Sequence, residues 1–226
     1  MPRRAGVCFS AAGEKPTRRP HWRVCALRLA QRGQATLPPP VVRDDVGPEW
    51  RDAAARGRLG FDALGCADCH RPALPLASLV FADPGPLDAA GTLRGGEGTD
   101  LRYDLALDPR VRALPRNADG AVLVPLFGDL KRHVIADTQV ATLGNELLSQ
   151  RFVERDVFMT TELWGVGSTA PYGHRGDLTT LAEVIAAHGG AARASRDAWL
   201  ALDDEARGDV GAFLRTLVID PDTGLR

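Results

Sequence analysis

The segment Cys66-Ala67-Asp68-Cys69-His70 is the most specific chemical pattern in the sequence. Two thiols separated by two residues and followed directly by a histidine are typical of covalent c-type haem attachment. In that chemistry the two sulfurs add to the haem vinyl groups, and the adjacent imidazole binds the iron. The pattern therefore predicts one covalent haem c, attached through Cys66 and Cys69, with His70 as the proximal iron ligand.

Two other kinds of chemistry use the same residue types. A structural zinc site would need a second cysteine pair, whereas Cys8 and Cys25 stand alone, 17 residues apart. A thioredoxin-like redox pair would need a βαβ context, and here Pro72 and a long loop-like stretch follow the motif. A non-haem structural protein that uses the motif for zinc or redox-thiol chemistry therefore stays open as the alternative.

A helix is predicted to lead into the cysteine motif. Pro48 suits a first helical turn, and an apolar face repeats at helical spacing from there to residue 64. This face comprises Trp50, Ala54, Gly57, Phe61 and Leu64. Because a glycine lies in its middle, we expect a second helix, over residues 203–217, to cross closely at Gly57.

A shorter helix is predicted over residues 180–188. Thr180 and Glu183 have the spacing of a capping box, and two glycines end the helix. The apolar face of this helix repeats at Leu181, Val184, Ile185 and His188. An unpartnered imidazole on a buried face is costly, and iron would be a suitable partner. His188 is therefore the predicted distal iron ligand, with His133 and Met159 as alternatives.

The first 47 residues differ in composition from the rest of the chain. Residues 1–43 contain nine Lys or Arg and one acidic residue, and they include three consecutive prolines at positions 38–40. Basic, proline-rich sequence of this kind disfavours a packed core. We expect residues 1–47 to be a poorly ordered leader or the remnant of a missing N-terminal domain, with a short helix near residues 22–31.

Overall composition limits the class of protein. Of the 226 residues, 44% are apolar and 25% are charged, which excludes a wholly disordered chain and a multi-span membrane protein. No apolar run is long enough for a membrane span, and no basic stripe interleaved with aromatic residues indicates nucleic-acid binding. Only 6% of the residues are aromatic, so a large flat cofactor would supply apolar volume that the core otherwise lacks.

Several downstream segments carry a family resemblance. They are residues 163–165 (Leu-Trp-Gly), 169–174 (Thr-Ala-Pro-Tyr-Gly-His), 180–183, 188–190, and 213–214 (Phe-Leu). Together with the cysteine motif they resemble the C-terminal haem domain of the bacterial di-haem cytochrome c peroxidase superfamily, most closely its "thiol oxidoreductase" branch. Residues 127–133 resemble a further family segment, and the resemblance covers about residues 50–218. Arg175 and Glu162 depart from it, since the family usually has an acid and a proline there.

The resemblance implies a fold and a set of site residues. The expected fold is an all-α, cytochrome c-like haem domain over residues 48–220, with long loops, at most a short β-hairpin, and a tail at residues 221–226. Trp164 and His174 match family positions in the haem environment. The position of His188 matches the family's distal ligand, which is commonly methionine.

The resemblance also implies a role. Family members carry two haems, whereas this chain has one C-x-x-C-H motif. It therefore resembles the electron-relaying half of an oxidoreductase, and its partner would be a redox protein or a second haem domain absent from this chain. Peroxidase chemistry needs an open iron position beside an acid–base group, so we expect little peroxide turnover by this chain alone.

Covalent haem attachment implies a periplasmic or otherwise extracytoplasmic location. The first 13 residues do not form a convincing secretion signal, because their apolar stretch is short and interrupted. We therefore expect that the true N-terminus is missing or misassigned.

Overall fold

The structure, a computed structural model, describes residues 41–42, 46–76, 78–83, 101–145 and 153–218. These residues fall into two compact units. The smaller unit contains residues 78–83 and 101–113, and the larger unit contains 41–42, 46–76, 114–145 and 153–218. Most of the predicted leader, including its short helix and both isolated cysteines, lies outside the described residues, as does the predicted tail.

Five α-helices occur in the described residues. They are α1 (Pro48–Ala63), α2 (Pro109–Ala113), α3 (Leu181–Ala186), α4 (Arg193–Leu200) and α5 (Asp204–Thr216). The helices predicted over residues 48–64 and 203–217 are α1 and α5, confirmed to within one residue at each end. None of the helices in these ranges is long and apolar enough to cross a membrane.

The described strands form four antiparallel pairs of two strands each. They are β1 (Val41–Val42) with β8 (Leu217–Val218), β2 (Leu74–Pro75) with β5 (Leu123–Val124), β3 (Val80–Asp83) with β4 (Leu101–Asp104), and β6 (Arg132–Val134) with β7 (Val157–Met159). A 3₁₀ turn, Thr142–Gly144, lies between β6 and β7.

The all-α prediction is wrong. The described chain mixes five helices with four strand pairs, where at most one short hairpin was expected. The strands are only two to four residues long, which is too short to show an alternating apolar pattern. Their pairing with distant segments therefore decides their conformation, and local sequence does not reveal it.

Helices α1 and α5 pack closely at Gly57 in the larger unit. A Cβ atom at Gly57 would overlap the backbone carbonyl group of Asp209 on α5, so only glycine permits this approach. The neighbouring Arg56 donates two hydrogen bonds to the Asp209 carboxylate, at 2.6 Å from Nε and 2.8 Å from Nη2. This two-pronged ion pair fixes the crossing, which confirms the prediction made from Gly57.

The core of the larger unit surrounds this crossing. Its buried members are Phe61, Phe127, Leu181, Trp199, Val210, Phe213, Leu214 and Leu217. Cys66 and Val184 are partly buried against it. The core therefore brings the end of α1, where the cysteine motif begins, into contact with α3 and α5.

Helix α3 has the predicted capping box. The Thr180 hydroxyl accepts a hydrogen bond from the Glu183 backbone N–H at 3.1 Å, and the Glu183 carboxylate accepts one from the Thr180 backbone N–H at 2.8 Å. Leu181 in the first turn is buried, which anchors the start of the helix in the core. The last helical residue is Ala186, so His188 follows just beyond the helix end.

The smaller unit is built on the β3–β4 pair, in which Phe81 lies opposite Tyr103. Asp104 ends β4, and its carboxylate accepts a hydrogen bond from the Ala106 backbone N–H at 2.9 Å. The elements described within residues 71–116 are all short, as the frequent prolines and glycines predict.

The crossing at Gly57 generates a stability prediction. We expect Gly57→Ala to lower the free energy of unfolding by about 2–3 kcal/mol, because the added methyl group forces the backbones of α1 and α5 apart. Gly208→Ala is the matched control: it is also helical, but an added Cβ there meets nothing within 4 Å. That variant should be stabilised by roughly 0.5–1 kcal/mol. Urea unfolding measures both values, and equal effects of the two substitutions would contradict the close crossing.

Candidate functional site

The cysteine motif begins directly after α1. Leu64 is the C-cap of α1, and Gly65 takes a left-handed conformation (φ 77°). A 3₁₀ turn, Cys66–Asp68, follows. The His70 backbone N–H donates to the Cys66 carbonyl oxygen at 2.9 Å, which closes the motif into a compact loop. Cys66 and Cys69 are free thiols and half-buried. The fold therefore presents both thiols and the histidine from one loop.

His70 is oriented by a backbone carbonyl group. Its Nδ1 atom lies 3.1 Å from the carbonyl oxygen of Phe127. A carbonyl oxygen can only accept, so this contact favours the neutral tautomer with the proton on Nδ1 and the lone pair on Nε2, and the Thr161 backbone is a second acceptor near the ring. Metal-binding histidines typically have this arrangement, with one nitrogen held by an acceptor and the other available for the metal.

His188 is also held by a backbone carbonyl group. Its Nδ1 atom lies 2.6 Å from the carbonyl oxygen of Val184, one turn earlier in α3, so its lone pair is also on Nε2. The ring centroids of His70 and His188 are 6.5 Å apart, with an angle of 59° between the ring planes. The structure therefore brings together the two histidines that the sequence analysis assigned to the two sides of an iron.

Both imidazoles are neutral at physiological pH. Burial lowers the pKa of His70 to about 4, although the hydrogen bond to the Phe127 carbonyl acts in the opposite direction. Burial also lowers the pKa of His188. A neutral imidazole is the form that binds metal, so no proton has to be removed from either ring at neutral pH.

The donor set fits a haem c. Two imidazoles bound to one metal through nitrogens at about 2 Å have ring centroids about 6 Å apart, close to the 6.5 Å between His70 and His188. The cysteine pair belongs to the loop that carries His70, as covalent attachment requires. Cys66, Cys69, His70 and His188 are the residues that would hold the group.

Aromatic rings support His70 from behind. Phe61 lies 6.3 Å from the His70 ring, and Phe61, Phe127 and Phe213 contact one another at centroid distances of 5.4–6.5 Å. The guanidinium group of Arg58 covers Phe127 and Phe213 at 5.1 and 5.3 Å from their centroids. These contacts hold the aromatic cluster together beside the His70 ring.

The backbone that holds His70 is itself strained. Phe127 and Leu130 have positive φ angles of 53° and 57°, which residues other than glycine rarely adopt. The buried Asp129 between them accepts hydrogen bonds from the Lys131 backbone N–H at 2.9 Å and from His133 Nε2 at 2.8 Å. Burial alone would raise the pKa of Asp129, but these hydrogen bonds and one from Thr160 lower it to about 2. Asp129 is therefore an anion that holds the loop.

Four further residues were assigned to the haem surroundings from the sequence. Trp164 donates from Nε1 to the Pro125 carbonyl oxygen at 3.2 Å, so it supports the segment that leads to Phe127. His133 is engaged by the Asp129 carboxylate, Met159 on β7 is 52% exposed, and His174 stacks on Phe158 at 4.2 Å. Of the three proposed distal ligands, the structure thus places His188 beside His70.

Asp129 was not singled out in the sequence analysis, and neither was the carbonyl group of Phe127. The only sequence signal for either was the family-like segment 127–133, in which both residues lie. A backbone acceptor leaves no trace in residue type, so sequence reasoning had no means of finding the Phe127 contact.

Both thiols are poor nucleophiles in this environment. Burial raises the pKa of the Cys66 thiol to about 11. Burial also raises the pKa of Cys69, and the negative charges of Asp129 and Asp68 add to the effect. Redox-active cysteine pairs have lowered thiol pKa values, so the local electrostatics disfavour a thioredoxin-like role.

Comparison of the chain with protein-family models, curated proteins and solved structures gave no match. Across the residues that the structure describes, no group of three or more His, Cys, Asp or Glu side chains is arranged to hold a metal ion by itself.

The raised thiol pKa gives a prediction for the haem-free protein. Because the thiolate is the reactive form, the rate of Cys66 alkylation by iodoacetamide should rise with pH with a midpoint near 11. The same cysteine in the urea-unfolded chain is the control, with an expected midpoint at about 8.5. Peptide mass spectrometry resolves the two cysteines. A midpoint in the folded protein at or below that of the unfolded chain would contradict the buried setting and favour redox-thiol chemistry.

Proposed function

We propose that this chain is a covalent haem c domain that transfers electrons, equivalent to the electron-relaying half of a cytochrome c peroxidase-like oxidoreductase. One observation carries the proposal. The ring centroids of His70 and His188 are 6.5 Å apart, each ring has its Nδ1 bonded to a backbone carbonyl group, and His70 directly follows the C-x-x-C pair. The resemblance of residues 50–218 to the di-haem peroxidase superfamily supports the same function.

Each part of the site has a separate task. Cys66 and Cys69 would attach the haem, whose iron would supply one-electron exchange between its ferric and ferrous forms. His70 and His188 would bind the iron, and because both rings are neutral this binding would require no proton release. The aromatic cluster of Phe61, Phe127 and Phe213 packs beside His70.

Binding of the iron by both His70 and His188 would favour electron transfer over reaction with peroxide. Peroxide chemistry needs an open position on the iron, and His188 would fill it. The chain would exchange electrons with a redox partner protein or with a second haem domain absent from this chain. Covalent attachment also supports an extracytoplasmic location as part of the proposal.

The first test is covalent attachment. We expect the chain, matured in a bacterial host with periplasmic cytochrome c assembly, to gain the mass of one haem and to keep its Soret band after acid–acetone extraction. Cys66→Ala with Cys69→Ala should abolish both signals. The matched control is Cys8→Ala with Cys25→Ala, which removes the chain's other two cysteines and should leave both signals intact. A colourless wild-type protein that contains stoichiometric zinc would contradict the proposal.

The second test concerns the distal ligand. The ferric wild type should be low-spin, without the near-infrared band of a thioether ligand, because both axial ligands are imidazoles. His188→Ala should become high-spin and bind added imidazole. His133→Ala and Met159→Ala should remain low-spin, because His133 Nε2 is bonded to the Asp129 carboxylate and the Met159 side chain is 52% exposed. Optical and EPR spectra distinguish these states, and a low-spin His188→Ala protein without added ligand would reassign the sixth position.

A further inference from the structure

We propose that Asp137 is a positioning residue that holds the distal histidine in place, through a segment that reaches both histidines of the site. This inference rests on the proposed function. The segment, residues 127–140, is named here the brace. One end of the brace touches His70, and the other end contacts the turn that follows His188.

The proximal end of the brace is the Phe127 carbonyl group, which accepts from His70 Nδ1 at 3.1 Å. The adjacent Gly128 backbone N–H donates to the Arg71 carbonyl oxygen at 3.0 Å. The brace is thus bound to the cysteine-motif loop on both sides of one peptide group, and it cannot shift without moving the His70 ring.

The middle of the brace has little freedom to slide. The Asp129 carboxylate accepts one hydrogen bond from the Lys131 backbone N–H and another from the His133 side chain. Residues 132–134 then form β6, which pairs with β7 in a fixed register, His133 opposite Phe158. A strand held by backbone hydrogen bonds transmits the position of one end to the other.

The distal end of the brace holds the two glycines that follow His188. The Gly189 backbone N–H donates to the Ile135 carbonyl oxygen at 2.8 Å, and the Gly190 backbone N–H donates to Asp137 Oδ2 at 2.7 Å. A Cβ atom at Gly190 would overlap the Val134 carbonyl group, and Gly190 has a φ of 52°. The turn therefore lies directly against the brace backbone, and only glycine fits there.

The two carboxylate oxygens of Asp137 have different tasks. Oδ1 accepts from the backbone N–H groups of Gln139 and Val140, both at 2.9 Å, which shapes the brace itself. Oδ2 accepts from Gly190 and lies 3.4 Å from the Arg193 guanidinium group at the start of α4. Asp137 thus joins the brace to the chain on the far side of His188.

His188 needs such external support because its own helix is short. Helix α3 has six residues and ends before His188, and the hydrogen bond from His188 Nδ1 returns to that same helix. On the C-terminal side of His188, the contacts of Gly189 and Gly190 with the brace hold the chain in place. Loss of the Asp137 contact would let His188 move away from His70 while its own hydrogen bond stayed intact.

The test uses the haem-loaded full chain and measures how well added imidazole competes for the sixth position. We expect Asp137→Ala to keep covalent haem but to bind added imidazole about tenfold more tightly than wild type, with an increased high-spin fraction. Asp104→Ala is the matched control, since Asp104 also caps a turn through its carboxylate but belongs to the smaller unit. Its imidazole affinity should equal that of the wild type.

A second variant separates positioning from a general loss of stability. Asp137→Asn has one acceptor oxygen and cannot serve both its own turn and Gly190, so its imidazole affinity should lie between those of wild type and Asp137→Ala. Haem-loaded Asp137 variants with wild-type spin state and imidazole affinity would overturn the proposal. A wild-type chain that acquires no haem in the assembly host would instead overturn the proposed function, which is a distinguishable result.

Discussion

The hydrogen bond from His70 Nδ1 to the Phe127 carbonyl oxygen is the contact on which the rest of the site depends. It favours one tautomer of a half-buried imidazole, and therefore which nitrogen is available for a metal. To present that carbonyl group, Phe127 adopts a left-handed conformation, and Asp129 holds the following residues through hydrogen bonds to its buried carboxylate. Backbone strain next to a candidate ligand is consistent with a binding function, because strain persists only where surrounding contacts impose it.

Much of the helical framework could be predicted from the sequence. The proline at the start of α1, the capping box of α3 and the glycine at the α1–α5 crossing are local signals that act within one or two turns. The same holds for the cysteine motif, whose five residues form one loop. His188 could be placed on an apolar face because helical periodicity extends to it, even though the helix ends before it.

The strand pairs and the brace could not be predicted in this way. Strands of two to four residues are specified by partners far away in the chain, such as β6 by β7. The contacts at Phe127, Ile135 and Val184 use backbone carbonyl groups, which every residue type possesses. The bond from the Gly190 backbone N–H to Asp137 joins residues 53 apart in the chain, so it emerges only from tertiary packing.

In the proposed site, two imidazole nitrogens of this chain would bind one low-spin iron. The most direct measurement is pulsed EPR on the ferric, haem-loaded protein with its five histidines labelled with ¹⁵N. We predict ¹⁵N couplings to the iron from two bound imidazole nitrogens, one from His70 and one from His188. The second coupling should disappear in His188→Ala. A spectrum with a single imidazole nitrogen in the wild type, or a protein that contains no iron, would contradict it.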